Sequence, residues 1–150
     1  MTEPARPVHE GWTLHPRLLL DSIPIVEHDD IQFRLVNDRR FVWVLVIPMH
    51  PGAEQLHRLP PKMRENALRW VDATCATLDE VYDPERVNVA AIGNVVEQLH
   101  IHCVARFSDD PAWPGVVWGF GEREPAEPLE LLGRVRRIAA GLANRHGRHS

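Results

Sequence analysis

Asn88-Val-Ala-Ala-Ile-Gly-Asn-Val-Val-Glu-Gln-Leu-His-Ile-His-Cys-Val-Ala-Arg106 is the stretch on which the reading of this chain turns. It separates into two short apolar segments, Arg86 to Ile92 and Gln98 to Phe107, with a turn at Gly93-Asn94 between them. In the second segment Gln98, His100 and His102 alternate with Leu99, Ile101 and Cys103. Side chains of an extended strand point to opposite faces in turn. The alternation therefore predicts one amide and two imidazoles in a row on one face, with their apolar partners buried behind. Neighbouring in sequence, the two segments should pair antiparallel and bring Asn88 close to the level of the row. Spacing alone leaves a second reading open, a half-buried strand that simply turns polar residues to water.

These residues resemble the signature of the histidine triad (HIT) superfamily of nucleotide hydrolases and transferases. That signature is His-φ-His-φ-His-φ-φ with φ apolar, preceded by an Asn and a Gly-Gln pair and followed by an Arg. Gln98-Leu-His-Ile-His-Cys-Val104 fits every position except the first, Arg106 stands at the trailing Arg, and Gly93-Asn94 stands in for Gly-Gln. Upstream, Phe33-Arg-Leu-Val-Asn37 and Val44-Leu-Val-Ile-Pro48 resemble the nucleoside-binding half of the same fold. Downstream, Asp109-Asp-Pro-Ala-Trp-Pro-Gly115 and Val117-Trp-Gly119 are similar to a bacterial branch that also carries Gln first in the triad and that resembles dinucleoside polyphosphate hydrolases.

The resemblance implies an α+β fold, an antiparallel sheet with packed helices, assembled as a homodimer. It makes His100 the nucleophile toward an α-phosphate, with His102 donating to a non-bridging oxygen or helping to protonate the leaving group. Gln98 would keep the orientation of the site but cannot carry charge. Asn37 falls where the family contacts the nucleoside, and Asn88 and Arg106 fall in the phosphate pocket. Asn94 replaces a Gln that reaches phosphate. Trp43 takes the place of another active-site His, where it could wall the pocket, stack on a base or belong to the core. Val95 stands where several members carry a Ser or Thr hydroxyl.

Residue chemistry independently makes such a reaction reasonable. A neutral imidazole attacks phosphorus and leaves readily once protonated, so a His can accept a nucleotidyl group and hand it to water. Its other ring nitrogen must be held by an acceptor, most simply a backbone carbonyl. The expected substrate is a nucleotide conjugate, a dinucleoside polyphosphate or a nucleoside phosphoramidate. No cofactor is required, apart from a divalent cation that could accompany the nucleotide. A metal role for His100 and His102 would need a third ligand, and no Cys or carboxylate partner is evident. Two other functions stay open: a regulatory protein that binds nucleotide without catalysis, and a dimeric scaffold acting through its Trp-rich loop. Trp113 in that loop could cover the pocket, pack between subunits or cap the core.

The remainder of the chain is scaffold. With 150 residues, 44% hydrophobic and 25% charged, it has the composition of one globular domain. A net charge of −4 gives no basic surface for nucleic acid and no membrane patch. Cys75 and Cys103 sit inside apolar patterns and read as buried free thiols. Neither a signal peptide nor a bilayer-length apolar run is present, so cytoplasm is the expected location. Residues 1–11 read as a flexible arm and 144–150 as a frayed tail. A helical turn is expected at Arg17 to Leu20, ended by Asp21-Ser-Ile-Pro24, and strands at Ile31 to Asn37 and Phe41 to Ile47. Pro61 to Tyr82 reads as the longest helix, with Leu68, Val71, Cys75, Leu78 and Tyr82 as its buried stripe. A last helix over residues 127–143 should bury Leu132, Val135, Ala139 and Leu142.

Overall fold

The computed structural model describes residues 9–146, so residues 1–8 of the expected arm and 147–150 of the expected tail lie outside the described residues. Its elements run α1 (Pro16–Asp21), β1 (Ser22–His28), β2 (Ile31–Val36), β3 (Val42–Pro48), α2 (Pro61–Tyr82), β4 (Arg86–Ala90), β5 (Ile101–Arg106) and α3 (Pro128–His146), with a 3-10 turn at Leu56–Arg58. Five strands form one antiparallel sheet in the order β1-β2-β3-β5-β4. This is the expected α+β architecture of antiparallel sheet and packed helices.

The apolar β3 lies at the centre, between β2 and β5, as its β-branched and aromatic sequence requires. One face of the sheet is covered by α2 and α3. Phe33, Leu35, Val44, Val46, Ile101 and Cys103 pack there against Trp70, Leu78, Ile138 and Leu142. The opposite face is covered only in part. Trp12, Leu18 and Val96 close over Leu45 and Ile47 at one end, and Phe41, Ala112 and Val117 close over Val104 at the other. His100 and His102 sit between these two small clusters.

Several boundaries and faces differ from the sequence reading. Strand β1 was not foreseen, because Pro24 argues against a strand. It is tolerated at the sheet edge, where a register shift falls between Pro24 and Val26. The β1–β2 turn uses Asp29 and Asp30, both at positive φ, without the glycine that ordinarily marks such a hairpin. Strand β5 begins at Ile101, so Gln98 and His100 precede it in a loop. Helix α2 keeps its expected ends: Pro61 opens it, and Asp83, at positive φ, returns its N–H to the Asp79 carbonyl. Its buried stripe is Ala67, Trp70, Val71, Thr74 and Leu78, while Leu68 is exposed.

In α3 the buried positions are Leu131, Arg134, Ile138 and Leu142, and Leu132 is exposed. The helix is turned by Arg134, whose guanidinium donates to the Asp38, Arg39 and Phe41 carbonyls at 3.0 Å each and so occupies a position that a hydropathy pattern reserves for an apolar residue. Residues 144–146 continue this helix rather than belonging to a frayed tail. Gly141 is where α3 crosses α2 closely, since a Cβ there would run into the Thr77 methyl.

Candidate active site

The two histidines line a cleft of about 550 Å³ between the small clusters. The N-terminal segment contributes Leu18, β3 contributes Trp43 and Leu45, the β4–β5 loop contributes Asn94 and Val95, and the loop after β5 contributes Trp118 and Phe120. The imidazoles are edge to face, with ring centroids 4.9 Å apart.

Each ring has one nitrogen committed. Nδ1 of His100 donates to the backbone carbonyl of Gln98 at 2.7 Å. Its neutral form therefore keeps an unprotonated Nε2, the tautomer that can attack an electrophile. Nδ1 of His102 accepts the indole N–H of Trp43 at 2.9 Å, so the proton of the neutral ring is on Nε2. The pair thus presents one lone pair and one N–H donor. Register explains the contact: Trp43 is opposite Val104 and Leu45 opposite His102, which makes Trp43 and His102 diagonal neighbours on adjacent strands. Trp118 stands edge-on to both, 5.5 Å from the His102 ring and 6.1 Å from the Trp43 ring.

Both rings are held neutral. Burial pushes the His102 pKa down from its ordinary value to about 3, and the adjacent His100 pushes the same way. Burial also lowers the pKa of His100; the hydrogen bond to the Gln98 carbonyl acts against it and His15 adds to it. Positive charge comes instead from the rim. Arg40 is gripped by Asp38 at 2.8 Å and donates to the Phe120 carbonyl, and its pKa is raised, first of all by the Asp38 hydrogen bond. Arg123 pairs with Asp21 at 3.0 Å. Arg17 lies farther from Asp21, at 3.8 Å, and is largely exposed. Three guanidinium groups and two carboxylates therefore border the cleft.

The foreseen site residues divide into two groups. His100, His102, Trp43 and Asn94 line the cleft. Gln98, Asn37, Asn88 and Arg106 direct their side chains elsewhere. Gln98 does not continue the row of imidazoles, because the chain has not yet entered the strand. Its amide accepts from the His15 N–H at 2.9 Å and donates to the Thr13 carbonyl at 2.8 Å, strapping the N-terminal segment to the loop. Only its backbone carbonyl serves His100. Asn37 accepts the Ala126 N–H at 3.0 Å. Asn88 accepts from Arg106 at 2.8 Å, and Arg106 is paired with Asp110 at 2.8 and 3.0 Å under the rings of Trp113 and Phe41. This buried network closes the loop after β5, so Trp113 caps Arg106 and does not border the cleft.

The sequence reading missed Trp118, Phe120 and the rim arginines. Arg40 falls between the expected strands Ile31 to Asn37 and Phe41 to Ile47, where nothing in the sequence marks it as part of a site, and Val117-Trp-Gly119 enters only as a likeness. Among the described residues no cluster of three His, Cys, Asp or Glu side chains could hold a metal ion, and no helix is long and apolar enough to cross a membrane.

Residues 21–109 match the model of the HIT domain. The chain belongs to the histidine triad family. Members of this HIT family bind nucleotides and are in general nucleotide hydrolases or transferases that need no cofactor. A histidine triad protein from Sinorhizobium meliloti is 36% identical, with 88% of this chain and 98% of that chain covered and a TM-score of 0.85. A HIT protein from Marinobacter aquaeolei is 31% identical over 89% of this chain and 97% of that one, with a TM-score of 0.86. Another, from Bradyrhizobium japonicum, is 28% identical over 88% and 98%, with a TM-score of 0.86. A search of curated proteins returned no match.

Proposed function

We propose that this HIT protein is a hydrolase or transferase acting at the α-phosphate of a nucleotide conjugate, a dinucleoside polyphosphate or a nucleoside phosphoramidate, through a nucleotidyl-His100 intermediate. The observation that carries the reading is the 2.7 Å bond from His100 Nδ1 to the Gln98 carbonyl, which leaves Nε2 as an unprotonated nucleophile in the cleft. When that nitrogen takes the nucleotidyl group the ring becomes cationic, and the same carbonyl stabilises the charge. His102 Nε2–H donates to a non-bridging oxygen, and Asn94 is the cleft amide available to the phosphate. The apolar walls at Leu18, Leu45, Trp118 and Phe120 suit a nucleoside. Trp43 acts on His102 rather than on a base. The side chains of Asn37, Asn88 and Arg106 support the loops around the site, and Gln98 acts through its main chain.

The same reading takes the protein as a cytoplasmic homodimer. The dimer alone draws support from the structure, since the sheet ends at β4, where Val89 is half exposed on a short edge strand open to pairing. A binding-only function is the competing reading, favoured by the exposed Val95 where a hydroxyl would serve the reaction. Product release and nucleotide binding, measured on wild type and His100→Ala, separate the two. Wild type should release mononucleotide while the variant binds without release. Equal release by both would remove His100 from the mechanism, and binding without release by both would leave only the regulatory protein.

A further inference from the structure

A His that serves as general acid must have a proton to lose. His102 has only one, on Nε2, because Nδ1 accepts the Trp43 indole N–H at 2.9 Å. Giving up that proton would leave an imidazolate. Taking a second would put an N–H on Nδ1 facing the indole N–H, in a buried position beside His100. The ring can donate a hydrogen bond and cannot deliver a proton. Among the described residues no substitute acid borders the cleft. Among the described lining residues there is no Ser, Thr, Tyr, Cys, Lys or Glu. Its two carboxylates, Asp21 and Asp38, are paired with arginines, and its remaining charged groups are Arg17, Arg40 and Arg123.

Resting on the nucleotidyl-transfer reading, we propose that the cleft is built for leaving groups that depart as anions, the phosphate end of a phosphoric anhydride, and against amines, because Trp43 locks His102 as a donor with no proton to give. Nε2 of His100 forms a bond to the α-phosphorus as the P–O bond to the leaving group breaks. The electron pair departs on that oxygen and no proton is transferred to it. The departing phosphate meets the guanidinium rim, where Arg17 is the most exposed member. Water then attacks the nucleotidyl phosphorus, the P–N bond breaks, and its electron pair returns to Nε2 while the proton of the water goes to solvent. An amine cannot follow this course, since a P–N substrate must gain a proton on nitrogen before that nitrogen leaves. Trp43 is accordingly a positioning residue that sets leaving-group specificity.

The test compares the rate of His100 nucleotidylation by a diadenosine polyphosphate, by adenosine phosphoramidate and by aryl esters of AMP whose phenols differ in acidity. Loss of general-acid assistance amounts to about 100-fold or more, so the phosphoramidate should lag the anhydride by at least that factor and the aryl series should slow steeply as the phenol becomes less acidic. Trp43→His, whose imidazole can accept from a protonated Nδ1, should narrow the gap between phosphoramidate and anhydride. A phosphoramidate that labels as fast as the anhydride, or a flat aryl series, overturns the proposal and leaves the nucleotidyl reading intact. No labelling by any substrate defeats both. Independently of turnover, ¹⁵N spectra of wild type at neutral pH should show His102 protonated on Nε2 alone, and a proton on Nδ1 overturns the proposal.

Discussion

Replacing His102 by Gln should make the protein less sensitive to acid. In the native state the ring stays neutral to a pKa of about 3 because burial and His100 oppose its protonation. In the unfolded chain it titrates near 6.5, the ordinary value. Between these values the unfolded state binds the proton and the native state does not, so this group withdraws stability as pH falls below about 6.5 and has withdrawn all it can near pH 3. At pH 4.5 the two binding polynomials differ by close to two decades, and at pH 7 by about a tenth of one, so the loss between them is about 2.5 kcal/mol. Urea unfolding of wild type and His102→Gln at pH 7 and pH 4.5 reads the quantity directly. The variant should lose about 2 to 3 kcal/mol less than wild type over that interval. Parallel losses would refute a buried, neutral His102.

Other expectations concern the scaffold and the pH dependence of catalysis. Asp110→Ala leaves the buried Arg106 guanidinium without its carboxylate, and chemical denaturation should register a loss of about 3–5 kcal/mol, with Asn88 alone unable to compensate. Gly141→Ala forces a methyl against Thr77 at the α2–α3 crossing and should destabilise by about 1–3 kcal/mol, whereas Gly133→Ala, where no atom lies within 4 Å of the added carbon, should not. Because protonation of His100 removes its lone pair, kcat/KM should fall on the acid side with an apparent pKa below the ordinary His value, in the direction burial shifts it. A limb above 6.5 would contradict that environment.

Apart from β1, the order of elements and the place of the histidines were legible in the sequence, since the period-two pattern of His100 and His102 and the long apolar β3 both suit strands of an antiparallel sheet. What was not legible came from polar side chains doing structural work. Arg134 occupies a core position because three carbonyls of the β2–β3 turn need donors, and no hydropathy period signals that. Gln98 continues the His spacing in sequence but precedes the strand in space, so alternation placed it in a row that its amide does not join. Asn37, Asn88 and Arg106 have the residue types of a phosphate or ribose site, and their partners are loops of the same chain. Trp43 is the converse: the substitution looks like a loss, and its indole supplies the one N–H that fixes the His102 tautomer.

The proposed reaction passes through a covalent nucleotidyl-His100. Intact mass measured after rapid mixing with a dinucleoside polyphosphate, and quenched in base because a phosphohistidine-type bond is lost in acid, tests it most directly. One added nucleotidyl mass is expected, located by peptide mapping on His100 and abolished in His100→Ala. Product release with no labelled state, or a label that persists in His100→Ala, would contradict it.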